Sequence, residues 1–198
     1  MQHFDVAKYW EKRYRLNKNS GDGSYNELAK FKASVINAFI QAHDIDYMIE
    51  LGHGDGNQLS YFEIKKYLGF DISPTVVAKC KNKFIRDTTK KFLTLDRFNN
   101  HKADLILSLD VIYHLIDDKV YDEYMRKIFS ASQMFVIIYS SNDDTIKSNA
   151  SHVKHRNFTK WIDTNYNNFT LVEYIRNPHS GNSKGKSLAD FYIYGKDL

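Results

Sequence analysis

Short apolar runs alternate with amphipathic segments along most of this chain. The runs that predict buried strands are Asp46 to Leu51, Tyr67 to Asp71, Phe84 to Arg86, Ala103 to Leu109 and Met134 to Tyr139. Nearly continuous apolar runs of this length are typical of parallel sheets that are covered on both faces. Because helix-length segments separate the runs, the pattern predicts a doubly wound α/β sheet with helices on both faces.

The helices have recognisable starts. Ser24 to Glu27 has the spacing of a capping box, and the apolar residues that follow it at helical spacing predict a helix over 25–42. Asp117 or Asp118 can cap a second helix that carries apolar positions as far as Phe129. A shorter helix is predicted over 158–166.

The end of the chain differs from the βα alternation before it. Phe169 to Ile175 and Asp190 to Tyr194 are strand-like and are joined by a Gly, Ser, Lys and Asn loop. They predict an antiparallel pair at the edge of the sheet. The expected sheet therefore has seven strands and is mostly parallel.

Length, charge and cysteine content restrict the class of protein. A chain of 198 residues fits one domain, which we divide into an N-terminal part (1–43) and a sheet-forming core (44–198). The formal charge of +4 is a mild basic bias that does not indicate a nucleic-acid partner. Cys80 is the only cysteine, which fits a reducing cytoplasm, and neither a secretory signal nor a membrane span is apparent.

The first predicted strand runs into an acidic residue and three glycines at alternate positions. Met48 to Gly56 reads Met-Ile-Glu-Leu-Gly-His-Gly-Asp-Gly. Closely spaced glycines at a strand end allow a sharp turn and let a ligand lie against the main chain. The G-x-G-x-G spacing differs from the G-x-G-x-x-G of dinucleotide folds, and the charge of Glu50 disfavours a diphosphate but suits a cationic group.

This motif, followed by Gly69 to Ser73 and then Ala103 to Leu115, resembles the class I S-adenosylmethionine-dependent methyltransferases, whose fold is Rossmann-like. Over nearly the whole chain the pattern is similar to compact bacterial members associated with surface-polysaccharide and small-molecule pathways. The resemblance implies S-adenosylmethionine as cofactor and S-adenosylhomocysteine as product. The core residues that it assigns to the cofactor are Glu50, Gly52, Gly54, Gly56, Asp71, Ile72, Asp87, Asp110 and Val111. Among these, Asp71 is expected to accept the ribose hydroxyls, and Asp87, after the third strand, to contact the adenine amino group.

The N-terminal part combines an aromatic and basic helix, Tyr9 to Tyr14, with a glycine-containing loop, Asn19 to Ser24. We interpret it as a lid over the donor, in which Arg13 pairs with the donor carboxylate and Tyr14 contacts the acceptor. An ordinary amphipathic helix with Trp10 in the core is the alternative interpretation.

A hydroxyl acceptor must lose a proton during methyl transfer, so a base is expected near the donor. His114 follows the fourth predicted strand and is a candidate, with Tyr113 beside it on the acceptor side. His152 and His155 compete for the same role. A histidine at any of these positions could instead hydrogen-bond a loop backbone.

Ser151 to Arg156 concentrates imidazole and positive charge after the fifth predicted strand. Lys154 and Arg156 could bind an anionic acceptor, Arg156 in bidentate fashion. The alternative is a solvated basic loop.

Asp110 with Asn142 and Asp143 could hold magnesium, as in catechol-type O-methyltransferases, but an Asn-Asp pair is also common in turns. We expect no bound metal.

These observations lead to the hypothesis of a cytoplasmic enzyme that methylates a small and anionic acceptor, such as a sugar or phosphorylated glycan precursor, on oxygen rather than nitrogen. Neither a nucleic acid nor a membrane is an expected partner, and the oligomeric state is left open. The alternatives are an RNA or protein methyltransferase, and a non-catalytic binding module that keeps the same fold.

Overall fold

The computed structural model describes residues 4–148, 150–181, 183 and 185–197. The helices of this part are α1 (Val6–Arg15), α2 (Asn26–Ala42), α3 (Pro74–Lys83), α4 (Asp118–Ala131) and α5 (Phe158–Asn165). The strands are β1 (Tyr47–Leu51), β2 (Lys66–Asp71), β3 (Lys90–Thr94), β4 (Ala103–Leu109), β5 (Ser132–Ser140), β6 (Phe169–Ile175) and β7 (Asp190–Lys196).

The strands form one sheet in the order β3-β2-β1-β4-β5-β7-β6. The pairs among β1 to β5 are parallel, and β7 pairs antiparallel with both β5 and β6. The strand order reverses between β1 and β4. In parallel sheets of this kind, ligands bind outside the carboxyl ends of the strands at that reversal. The predicted doubly wound sheet with a closing antiparallel pair is confirmed.

Helices cover both faces of the sheet, because successive strand residues point to opposite sides. On one face, Met48 of β1 packs in the same core as Ile36 of α2 and Val77 of α3. On the other face, Ile49 packs in a second core with Met125 of α4 and Ile162 of α5. All six side chains are less than 5% exposed. The two cores fix the sheet between the helices and thereby fix the loops at its carboxyl edge.

The third strand is not where the sequence pattern predicted it. Phe84 to Arg86 follows α3 as a turn, and the strand is formed by Lys90–Thr94. Phe92 is the only buried residue of β3. An edge strand has a single neighbour and commonly carries lysines, so it lacks the apolar run that marks the central strands.

The predicted capping box is also wrong. Ser24 belongs to a short 3₁₀ helix (Asp22–Ser24), and Tyr25 is the N-cap residue of α2 without a side-chain cap. The Ser24 carbonyl accepts a hydrogen bond from Asn57 Nδ2 at 2.7 Å. Ser24 is therefore part of a contact between the loop before α2 and the loop after β1.

Candidate active site

The carboxyl ends of β1, β2 and β4 border a cavity of about 300 Å³, which we name the glycine-loop cavity. The residues before α2 close its other side. Most of the site residues predicted from the sequence line it, namely Arg13, Tyr14, Gly52, Gly54, Asp71, Ile72, Asp110, Val111, Tyr113, His114 and His152. The sheet therefore brings together residues that are up to 139 positions apart in the sequence, from Arg13 to His152.

The glycine loop (residues 52–56) requires glycine for different reasons at different positions. Gly52 and Gly54 have φ of +89° and +58°, in the left-handed region that favours glycine. A Cβ atom on Gly52 would lie 2.4 Å from Val111 Cγ2, and one on Gly54 would lie 2.4 Å from Ser20 Oγ. Gly56 does not line the cavity, since a Cβ there would meet Phe84 and Cys80. Its predicted role in cofactor binding is replaced by a role in packing.

Asp71 ends β2 and lies beside the glycine loop. Its Oδ2 accepts the Gly54 amide at 3.0 Å and its Oδ1 accepts the Ser73 amide at 2.9 Å. The side chain is buried, with 6% of the residue exposed. Because each carboxylate oxygen has a second lone pair, the oriented carboxylate can still accept two hydroxyl groups from the cavity.

Asp110, directly after β4, is held in an unusual conformation. Its φ is +59°, which costs a non-glycine residue about 1–2 kcal/mol. Lys32 Nζ donates to its Oδ2 at 2.6 Å, and the Tyr113 hydroxyl donates to its Oδ1 at 2.9 Å. Lys32 is 1% exposed and was not predicted to belong to the site. Lys32 lies one helical turn from Leu28 and one from Ile36, on the buried face of α2. This spacing was a sequence signal that Lys32 is buried.

The residues before α2 are tied to the glycine loop by a second carboxylate that the sequence analysis missed. Asp55 accepts hydrogen bonds from the Ser20 amide at 2.7 Å and the Tyr25 hydroxyl at 2.9 Å. The Asp55 amide in turn donates to Ser20 Oγ at 2.8 Å, and the Tyr14 hydroxyl lies 3.0 Å from the same oxygen. The predicted lid segment therefore lies directly on the glycine loop.

Helix α1 is anchored at its other side to α3. Glu11 accepts hydrogen bonds from the Ser73 and Thr75 hydroxyls, both at 2.6 Å. Trp10 is half-buried and lines the cavity, so it is not a core residue. Arg13 also lines the cavity, but its Nε donates to the Asn19 carbonyl at 2.6 Å. Part of its guanidinium group is thus already used within the N-terminal segment.

Two histidines lie at the aromatic end of the cavity. His114 Nδ1 lies 2.9 Å from the His152 carbonyl, which leaves this nitrogen as the donor and Nε2 as the proton acceptor. Burial lowers the pKa of His114 to about 4, so the ring is neutral near pH 7. The two imidazoles are stacked 5.4 Å apart, and Trp10 contacts His114 edge-on at 5.2 Å. A neutral imidazole with a fixed tautomer can accept a proton from a group in the cavity.

Two other predicted cofactor residues lie outside the glycine-loop cavity. Glu50 is beneath the glycine loop, 2% exposed, where it accepts a hydrogen bond from the Tyr67 hydroxyl at 2.5 Å. Burial raises the pKa of Glu50 to about 7. Asp87 precedes β3 and so lies at the opposite edge of the sheet, where it pairs with Lys90 and Thr89. Asp87, predicted to contact the adenine amino group, does not line this cavity, because β3 lies further along the chain than predicted. Leu95 follows β3 and lines the cavity.

The remaining predicted residues, His155, Lys154 and Arg156, line a separate cavity next to α4. His155 Nδ1 lies 2.6 Å from Ser141 Oγ, while Lys154 and Arg156 both donate to Asp118. These three residues, predicted as a base and as acceptor-binding residues, therefore do not line the cavity that contains His114. The Lys154 amide donates to the Tyr113 carbonyl at 2.8 Å, so the backbone at this point forms a wall between the two cavities.

The magnesium ligands considered from the sequence do not come together. Asn142 Nδ2 donates to Thr159 Oγ1, Asp143 accepts from the Thr145 amide, and Asp110 is paired with Lys32. In the described part of the chain, no group of three or more His, Cys, Asp or Glu side chains could hold a metal ion. Each helix of that part is also too short or too polar to span a bilayer.

Comparisons with known proteins agree with this geometry. Residues 49–131 match the model of a methyltransferase domain family. The N-methyltransferase NodS from Bradyrhizobium japonicum WM9, in complex with S-adenosyl-L-homocysteine, has a TM-score of 0.75 at 15% identity, over 98% of this chain and 100% of that chain. The magnesium protoporphyrin IX methyltransferase ChlM from Synechocystis PCC 6803, with bound SAM, has a TM-score of 0.68 at 14% identity, with all of both chains covered. A comparison with curated protein sequences found no match.

Proposed function

We propose that this enzyme methylates a small acceptor that enters the glycine-loop cavity next to His114. This proposal is supported by the match of residues 49–131 to a methyltransferase domain model and by the similarity of the fold to a methyltransferase solved with S-adenosyl-L-homocysteine. S-adenosylmethionine is the cofactor that these findings support. The observation that carries the proposal is that the glycine loop, Asp71 and His114 line one cavity.

The residues of the cavity fit a nucleoside with a cationic methionine end. Gly52 and Gly54 line the cavity and let the loop pack closely against Val111 and Ser20, and the Asp71 carboxylate has lone pairs left for two ribose hydroxyls. Asp110 adds a carboxylate at the end of β4. The adenine contact that the resemblance expects after the third strand falls to the segment after β3, where Leu95 lines the cavity.

When bound, the cofactor supplies the electrophilic methyl carbon, so the protein has to align the acceptor and accept its proton. We assign the proton to Nε2 of His114, because Nδ1 is fixed by the His152 carbonyl. This assignment favours a hydroxyl acceptor, as the sequence analysis did. Trp10 and the segment that Asp55 holds over the cavity would exclude water from the reaction.

A polynucleotide acceptor is a poorer fit to this cavity. Its described charged lining consists of Asp22, Asp71 and Asp110 against Arg13, and the pKa of both His114 and His152 is lowered by burial, so both remain neutral. A phosphate backbone would meet more negative than positive charge here. For the same reason, we do not place the anionic end of an acceptor in this cavity.

The proposal is tested by incubating the protein with S-adenosylmethionine labelled in the methyl group and with fractionated small metabolites, RNA and protein. We expect label in a small hydroxyl compound, and no label in the polymer fractions. Label that appears only in RNA or protein would contradict the acceptor class. Donor binding without transfer to any fraction would favour the non-catalytic module.

A further inference from the structure

The second cavity contains donor groups that the fold itself does not use. It has a volume of about 850 Å³ and lies between the first turns of α4 and the segment 144–157. The Tyr121 hydroxyl and Nη1 of Arg156 are both buried, and neither has a hydrogen-bond partner among the described residues. Both residues line this cavity. A buried donor without a partner costs free energy, so a ligand that accepts from it binds favourably.

The unpaired groups are donors rather than acceptors. Tyr121 is 4% exposed, and burial raises the pKa of its phenol, which therefore keeps its proton. The Arg156 guanidinium lies over the Tyr121 ring at 4.4 Å, which fixes its plane. Among the described residues, Nη2 of Arg156 donates hydrogen bonds to the Ile116 carbonyl at 3.1 Å and to Asp118 at 2.7 Å. Lys154 adds an ammonium group that donates to the same Asp118.

The charges around this cavity leave one cation in excess. Its charged lining consists of Lys147, Lys154, Arg156, Asp118, Asp122 and Asp144. Asp122 is already balanced by Arg126, which lies outside the lining and donates to it at 2.8 Å and 3.2 Å. The two other carboxylates therefore face three cations. Asp118 is a weak competitor for a ligand, since its side chain is 77% exposed and one oxygen serves both Lys154 and Arg156.

We infer that this second cavity is an anion-binding site, in which Arg156, Lys154 and the Tyr121 hydroxyl hold a phosphate or carboxylate group. It is distinct from the glycine-loop cavity, although the segment 152–156 contributes to both, with His152 in the glycine-loop cavity and residues 153–156 in the second cavity. Four residue steps of extended chain span at most about 14 Å. An acceptor with its reactive end near His152 could therefore place its charged end here, and a separate anionic effector could do so as well.

To test this inference, the protein is titrated with inorganic phosphate by calorimetry, at a constant ionic strength that is set with chloride. We expect saturable binding that Arg156→Gln weakens at least about tenfold and Tyr121→Phe weakens several-fold, in keeping with the loss of a charged and a neutral donor. Lys81→Gln on α3 removes the same charge elsewhere and should leave the affinity unchanged. Melting curves establish whether each variant is folded.

Tyr121→Phe is the decisive variant, because it removes a hydroxyl without a partner and keeps the packed ring. If the hydroxyl has no ligand role, this change raises the melting temperature and leaves phosphate binding unaltered, which overturns the inference. The absence of saturable phosphate binding to the wild type overturns it too.

Glucose 6-phosphate, titrated with and without S-adenosylhomocysteine, separates the two sources of the anion. If glucose 6-phosphate binds more tightly than phosphate, and only when S-adenosylhomocysteine is present, the site holds the charged end of the acceptor. Equal affinities, independent of S-adenosylhomocysteine, support a separate effector. Since S-adenosylhomocysteine binding is measured in the same experiments, a failure of the anion site is distinguishable from a failure of the proposed methyl transfer.

Discussion

Ser20, which lines the glycine-loop cavity, exchanges two hydrogen bonds with Asp55 of the glycine loop. The Ser20 amide donates to the Asp55 carboxylate at 2.7 Å, and the Asp55 amide donates to Ser20 Oγ at 2.8 Å. One residue belongs to the N-terminal segment and the other to the glycine loop. The arrangement of the glycine-loop backbone is thus coupled directly to the position of the N-terminal segment.

Asp55→Ala removes the acceptor for both the Ser20 amide and the Tyr25 hydroxyl. We expect faster hydrogen exchange at residues 19–25 and an S-adenosylhomocysteine affinity that is several-fold lower, since each lost bond contributes about 1 kcal/mol. Asp163→Ala, an exposed carboxylate on α5, is the control. Unchanged exchange in Asp55→Ala would show that other contacts hold the segment.

Gly54→Ala tests the close approach of the two segments. Alanine at φ +58° is strained, and its Cβ would lie 2.4 Å from Ser20 Oγ. We expect S-adenosylhomocysteine affinity to fall at least about tenfold while circular dichroism stays unchanged. Adding Ser20→Gly removes the clashing hydroxyl and should restore part of the affinity. If the double variant binds no better than Gly54→Ala, the backbone strain alone accounts for the loss.

His114→Gln tests the proton acceptor, once an acceptor molecule is known. General-base catalysis contributes about 10²- to 10⁴-fold, so kcat should fall within that range while donor affinity is retained. His43→Gln, an exposed histidine after α2 that lines neither cavity, is the matched control and should keep its kcat. Because the pKa of His114 is lowered to about 4, its protonation should not reduce kcat/KM above about pH 5.

The raised pKa of Glu50 predicts that the free energy of unfolding depends on pH. Burial raises its pKa from 4.5 to about 7, so between these values the folded protein binds a proton that the unfolded chain releases. The stabilisation is present in full below pH 4.5 and is lost as the pH rises through 7. Urea unfolding should therefore show Glu50→Gln gaining stability relative to the wild type from pH 5 to pH 8, by at most about 3 kcal/mol.

Comparison with Glu50→Gln isolates this carboxyl group. The histidines with a lowered pKa, including His53 and His114, have the opposite effect. They destabilise the folded protein as the pH falls below 6.5, the ordinary pKa of histidine. Their contribution is common to both proteins and cancels in the difference. A difference that stays flat between pH 5 and pH 8 would mean that Glu50 is ionised throughout.

The sequence was sufficient to predict the elements that depend on local pattern. β4 begins and ends where its apolar run does, and so does β6. Asp117 caps α4 with its side chain, as predicted. The glycine loop follows β1 and Asp71 ends β2, so both lie at the carboxyl edge of the sheet, where the sequence pattern and the family resemblance predicted them. In these cases the information lies within a few residues.

What the sequence analysis missed depends on contacts between distant residues. The pairs Lys32–Asp110 and Ser20–Asp55 are 78 and 35 positions apart. Residues 152–156 are continuous in sequence, yet His152 and Arg156 lie in different cavities, because the segment passes along the wall formed with Tyr113. β3 was misplaced because an edge strand needs only one buried residue, Phe92.

The central claim is that the glycine loop and Asp71 form the S-adenosylmethionine site, and titration calorimetry with S-adenosylhomocysteine tests it most directly. The account predicts saturable binding by the wild type, a loss of about 10- to 100-fold in Asp71→Asn from weakened charge-assisted hydrogen bonds, and wild-type affinity in Asp87→Asn. No binding by the folded wild type, or an equal affinity of Asp71→Asn and the wild type, would contradict it.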